Sequence, residues 1–145
     1  MNLRSLLFTL TFASLVYGAA SQERAWKFVF PAHANPAKYV GRETGAFGKK
    51  FVAAPVLSFF PIPPIPEKLR GSQEPGAAHF ALLISPKGTV TDVSLLGAVP
   101  EGIADEALQG CVRRLVFEEI KEGKKRIEFE TELVIAFPPP NPKKN

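Results

Sequence analysis

Cysteine is almost absent: the 145-residue chain holds only Cys111, which excludes an internal disulfide framework. Histidine is nearly as scarce, with His33 and His79 alone. Two histidines and one thiol fall short of the four tightly spaced ligands that a structural zinc site takes. His33 falls in a loop and His79 at the start of a strand, and neither has an identifiable carboxylate to orient it as a general base. No glycine-rich loop cradles a phosphate, since Gly88 and Gly97 stand alone. The basic residues (Lys49-Lys50, Lys124-Lys125-Arg126, Lys143-Lys144) are scattered rather than gathered on one face, which argues against nucleic acid. The formal charge of +4 then serves solubility. These absences point to a protein without catalysis, cofactor or metal.

Long hydrophobic runs are confined to the beginning of the chain. Arg4 forms a positive n-region, Leu6 to Val16 an apolar h-region, and Gly18-Ala19-Ala20 the small residues before a cleavage point. Residues 1–20 therefore read as a signal peptide. The apolar run of about a dozen residues is too short for a spanning helix of roughly 20, and the alternative reading is an uncleaved anchor. Export gives an expected location in the periplasm or outside the cell, with no membrane span after cleavage. Cys111, on an apolar stripe, reads as a small buried hydrophobe.

Residues 21–60 form an N-terminal extension with one or two short strands. Trp26, Phe28 and Phe30 alternate with Lys27 and Val29, while Pro55 confines the apolar stretch Lys50 to Phe60 to an edge strand. Residues 61–66, Pro-Ile-Pro-Pro-Ile-Pro, favour a polyproline II spacer, and Pro66 suits the start of a short helix, Glu67 to Arg70, stopped by Gly71. A strand over Ala78 to Ile84 leads into Ser85-Pro86-Lys87-Gly88, a type I turn by its proline and glycine positions. The returning strand, Thr89 to Leu96, loses its alternation at Thr91-Asp92, which predicts a bulge.

Ala104, Ala107, Leu108, Cys111, Val112, Leu115 and Val116 then lie on one stripe of a 3.6-residue helix. After a link containing Gly123, Ile127, Phe129, Thr131, Leu133, Ile135 and Phe137 alternate with Arg126, Glu128, Glu130 and Glu132, the period of a half-buried strand. Residues 139–145 form a Pro- and Lys-rich tail. Strand, turn, strand, helix, strand gives an α+β, two-layer domain over residues 61–138: a β-β-α-β antiparallel sheet with one main helix on one face.

With no chemistry to place, function falls on the last strand. It closes the domain, so one of its edges is expected to be free, and a free edge invites another strand. The expected partner-binding strand runs from Arg126 to Phe137, with Arg126, Glu128, Glu130, Glu132 and Val134 at the contact. Three carboxylates on one face read as solvated rather than as a cation site. They serve equally well as outward charges that keep unwanted strands away, and both readings stand.

An ordered set of short matches runs through residues 65–137. It comprises Ile65-Pro66 before a short helix, Gly76 ahead of the first long strand, and Gly88-Thr89-Val90 with Val93 and Leu95. Asp105-x-Ala107 with Cys111-Val112, Leu115 and Phe117 follows, then Gly123 and Phe137. In this order and spacing the chain resembles the TonB C-terminal domain family, periplasmic portions of energy transducers. Leu115 stands where the family usually has Trp, and Glu119-Ile120 where it commonly has Pro-Ala. The resemblance implies a non-enzymatic binding module linked to TonB-dependent transport. Its implied partner is a peptide segment of an outer-membrane receptor or of another envelope protein.

Family transducers carry an anchor and a long proline-rich spacer. Here the spacer, residues 61–66, reaches roughly 19 Å at about 3.1 Å per residue, less than a bilayer core of about 30 Å. An exported domain standing alone is therefore expected. Two alternatives remain: a structural envelope protein built as a strand-swapped homodimer, and a short membrane-anchored transducer if the leader is kept.

Overall fold

The computed structural model describes residues 24–140; the expected leader and the end of the tail lie outside the described residues. Among these, no helix is long and apolar enough to cross a membrane. The main sheet is built on the hairpin of β3 (Gly76–Ile84) and β4 (Val90–Val99). Its turn closes as expected, with the Gly88 amide donating to the Ser85 carbonyl at 2.9 Å. The predicted bulge is present: Leu83 faces Asp92 while Ile84 faces Val90, so Thr91 is the extra residue. A second register shift, with His79 facing Gly97 and Phe80 facing Leu95, leaves Leu96 unopposed.

Two short strands precede this hairpin, β1 (Lys27–Val29) and β2 (Leu57–Phe59). Between them lie a four-residue helix, α1 (Pro31–Ala34), and a 3₁₀ turn over Pro36–Tyr39. The expected polyproline spacer is packed rather than free: Pro63 and Pro66 are buried, and the Cys111 thiol points at the Pro61 carbonyl at 3.8 Å.

The main helix, α2 (Glu106–Arg113), is capped by Asp105, whose carboxylate accepts the Leu108 amide at 2.9 Å. It ends a turn earlier than the apolar stripe suggested. Val116–Phe117 form β5, paired with β2, because their backbone is used elsewhere. The Phe117 amide donates to the Gly88 carbonyl at 2.7 Å and the Glu118 amide to the Val56 carbonyl at 2.8 Å. The stripe runs past the helix because Leu115, beyond its last turn, is still buried in the core. The link to the last strand is itself a small hairpin, β6 (Lys121–Glu122) and β7 (Lys125–Arg126).

The last strand, β8 (Phe129–Phe137), lies beside β3, and the sheet order is β1-β8-β3-β4. Phe80, Leu82, Ile84, Phe129, Leu133, Ile135 and Phe137 form its core face and pack with Leu108, Val112, Leu115 and Phe117. The α+β class with one main helix on one face is the architecture observed. Burying side chains of this kind contributes about 1.5–3 kcal/mol each.

Candidate functional site

The β8 strand pairs with β3 in one unbroken register, from Gly76 opposite Phe137 to Ile84 opposite Phe129. Its other edge was expected to be free and is not. β1 lies antiparallel along its C-terminal part, with Lys27 opposite Ala136, Phe28 opposite Ile135 and Val29 opposite Val134. Along its N-terminal part a second segment runs parallel. The Glu130 amide donates to the Lys50 carbonyl at 2.8 Å, and the Val52 amide donates to the Glu130 carbonyl at 2.9 Å. Last in the domain is therefore not outermost in the sheet; the missing neighbours come from the N-terminal extension.

This changes what the five expected contact residues do. Arg126 belongs to β7 and reaches Glu119 at 3.3 Å; Glu128 precedes β8 and pairs with Lys49 at 3.2 Å. Glu130 and Glu132, expected to face solvent, are 1% and 6% exposed. Val134 is flanked by Val29 on one side and His79 on the other.

The Glu130 carboxylate accepts the backbone amides of Phe47 and Lys49, each at 2.9 Å, and so pins the loop between them. Gly45 lies directly against it; a Cβ there would overlap the Glu130 carboxylate. Gly45→Ala is therefore expected to cost about 1–2 kcal/mol by overpacking, read as a lower urea midpoint at unchanged slope.

Glu132 is held from three sides. The Tyr39 hydroxyl donates at 2.9 Å, Arg42 Nη2 at 2.7 Å, and His79 Nε2 lies at 2.9 Å. Burial alone would raise the Glu132 pKa, but the hydrogen bonds from Tyr39 and His79 and the Arg42 charge outweigh it and hold it below the usual value. Burial, the hydrogen bond to Glu132 and its charge together push the Tyr39 phenol up. The Tyr39 and Phe51 rings stack in parallel with centroids 5.7 Å apart, and the Arg42 guanidinium lies 5.1 and 4.8 Å from them.

At the other end, Trp26, Phe28 and Phe30 pack against the core from its margin. Phe28 lies 5.4 Å from Phe60 and Phe30 lies 6.4 Å from Phe117, ring to ring. Just ahead of them, the Arg24 guanidinium donates to the carbonyls of Leu69 (3.1 Å), Ser72 (3.2 Å), Pro138 (3.2 Å) and Glu74. The aromatic alternation was visible in the sequence; Arg24, Tyr39 and Arg42 carry no periodic signal.

The remaining candidates are accounted for. His79 serves the Glu132 cluster, His33 lies in α1, and no group of three or more metal-ligating side chains occurs among the described residues. Burial pushes the Cys111 thiol up to about 11, against the smaller opposing effect of Arg114. Cys111 should therefore resist a thiol reagent at pH 8 in the folded chain and react fully in denaturant, as absorbance of the released chromophore would report. β4 is a terminal strand of the sheet, and Leu95, Leu96 and Val99 on it are exposed.

No protein-family profile matches the chain, and no curated protein matches it in sequence. Its fold is similar to the solution NMR structure of Pseudomonas aeruginosa TonB CTD, at 16% sequence identity and a TM-score of 0.51. The likeness covers 67% of this chain and 98% of that one. At this identity it speaks for the fold: an antiparallel sheet with one main helix, as in a TonB C-terminal domain.

Proposed function

We propose that this chain is a non-enzymatic, TonB-C-like binding module that recognises an extended segment of an envelope protein by strand addition. The observation that carries the reading is the outer edge of β8. It accepts two separate segments of the chain, antiparallel over Val134 to Ala136 and parallel at Glu130, so its backbone groups are turned toward an added strand along its length. The β4 edge is less suited, because the bulges at Thr91 and Leu96 give the twist by which sheets discourage pairing. The signal-peptide pattern of residues 1–20 supports a periplasmic or secreted location, and the TonB-like fold supports a receptor or other envelope protein as partner.

The test is a titration of the isotope-labelled protein with peptides from the periplasm-facing segments of outer-membrane receptors encoded in the same genome. At least one peptide should move the amide signals of Val134 to Phe137. Unmoved β8 signals across the whole panel, at millimolar peptide, would sink the link to receptors.

A second reading rests on the exposed Leu95, Leu96 and Val99 of β4: a structural homodimer joined through that strand. Light scattering separates the two, since this dimer would persist at micromolar concentration and dissociate on Leu96→Lys.

A further inference from the structure

We infer that residues 26–30 are a built-in, exchangeable occupant of the β8 edge, standing in for a partner segment with aromatic side chains at alternate positions. This rests on the strand-addition reading above and names the chemistry of what is added.

The N-terminal extension is held to the sheet by two independent means. Residues 39–52 are fastened by buried carboxylates: Glu130 takes the Phe47 and Lys49 amides, and Glu132 takes Tyr39 and Arg42. β1 has no carboxylate fastening; its polar anchor is Arg24, two residues ahead of Trp26, which donates only to backbone carbonyls. β1 pairs over three residues, Lys27 to Val29, and its aromatic side chains remain only partly buried. Residues 31–38 separate the two holdings. β1 can therefore leave the edge together with Arg24, whose carbonyl partners an incoming Arg would take over, while residues 39–52 stay in place.

The bound segment also states what the edge accepts. Phe28 is opposite the core-facing Ile135, and the two-residue period puts Trp26, Phe28 and Phe30 on the core side and Lys27 and Val29 on the other. The core side offers aromatic neighbours in Phe60 and Phe117. Two residues ahead of Trp26, four carbonyls converge on the Arg24 guanidinium. A backbone nest of this kind selects a cation with several donors, which Arg supplies and Lys matches poorly. The occupant is thus an extended, antiparallel segment with Arg followed by aromatic residues at the second, fourth and sixth positions after it. Being tethered, β1 competes at an effective concentration of order mM, and apparent affinity for a free segment falls with the fraction of molecules whose edge is open.

The probe is a fluorescent peptide of residues 24–31, titrated by anisotropy onto the full chain. Phe28→Ala, which loosens β1, should bind it at least tenfold more tightly than the unaltered chain. A Lys27→Cys/Ala136→Cys pair joins residues directly opposite each other, where Cα atoms lie about 4.5–5.5 Å apart, within the span of a disulfide. Its oxidised form should bind at least tenfold more weakly than its reduced form, and a peptide with the aromatics moved one position should bind at least tenfold more weakly than the probe.

Equal affinity of the oxidised and reduced forms overturns the inference, and so does absent binding to a Phe28→Ala chain that still melts cooperatively. If Phe28→Ala does not fold, the oxidised and reduced pair decides alone. A dimer in light scattering that disappears on oxidation would mean that a second copy supplies the segment, and also overturns it. Binding of this probe alongside failure of every receptor peptide would leave the exchange standing and remove the transport link.

Discussion

Gly88→Ala should cost about 3 kcal/mol and lower the Tm by roughly 10 °C, the largest expected loss from a single methyl group in this chain. Two effects combine. Gly88 sits at φ +90°, a left-handed conformation in which an L side chain costs roughly 1–2 kcal/mol. In addition, a Cβ at this position would overlap the carbonyl oxygen of Phe117. That oxygen belongs to backbone, so relief requires the β5 segment to move, and overpacking of this kind costs about 1–3 kcal/mol. Movement is resisted locally. The Phe117 amide is bonded to the Gly88 carbonyl at 2.7 Å, and the Phe117 ring is buried in T-shaped contact with Phe129 at 6.4 Å. Gly41→Ala provides the comparison, since Gly41 has φ +78° but open space around its missing Cβ. It should lose about 1 kcal/mol. Urea unfolding of both variants checks the argument, and equal losses would show that the approach to Phe117 carries no cost.

Gly88 also illustrates how far the sequence could be read. Ser-Pro-Lys-Gly announces its turn by local chemistry, and the break in alternation at Thr91-Asp92 announces its bulge, because both signals depend on residues a few positions apart. The bulge at Leu96 left no such mark: Leu95-Leu96-Gly97 interrupts no pattern that had been established. The end of α2 was lost for a related reason. Leu115 and Val116 continue the helical stripe in sequence, and only the distant Leu57–Phe59 and Gly88 take the backbone of Val116 and Phe117 into a strand.

The glutamate row was the deepest misreading, and its cause is physical. Alternation reports which side of a strand a residue occupies, not what covers that side. Glu130 and Glu132 do point away from the apolar core, as their period says. What the period could not carry is the loop of residues 39–50, rich in Gly and without periodicity, whose amides, phenol and guanidinium satisfy both carboxylates. The same loop, together with β1, closes the edge that chain order had left open. The candidate site was thus legible as a strand, while its occupancy depended on contacts between opposite ends of the chain.

Glu132→Gln should therefore cost about 3 kcal/mol at pH 7, and the loss should shrink in acid. A buried carboxylate is worth keeping only if its partners repay the desolvation, and removing one member of such a cluster costs about 3–5 kcal/mol. Arg42, one third exposed, can turn toward water, which places the figure at the lower end. The amide of Gln retains one accepting oxygen but brings an NH₂ donor toward Arg42, Tyr39 and His79, so hydrogen bonds are lost rather than exchanged. The folded pKa of Glu132 lies below its ordinary value. Its contribution is accordingly complete above the unfolded value of about 4.3 and disappears as pH falls through the lower folded value. Wild type and variant should differ by a constant amount from pH 7 to about pH 5, and the gap should narrow as pH falls below the unfolded value of about 4.3. Urea midpoints at pH 7, 5 and 3.5 measure the difference directly. A gap that persists unchanged at pH 3.5 would mean that packing rather than charge holds Tyr39 and Arg42 over the sheet.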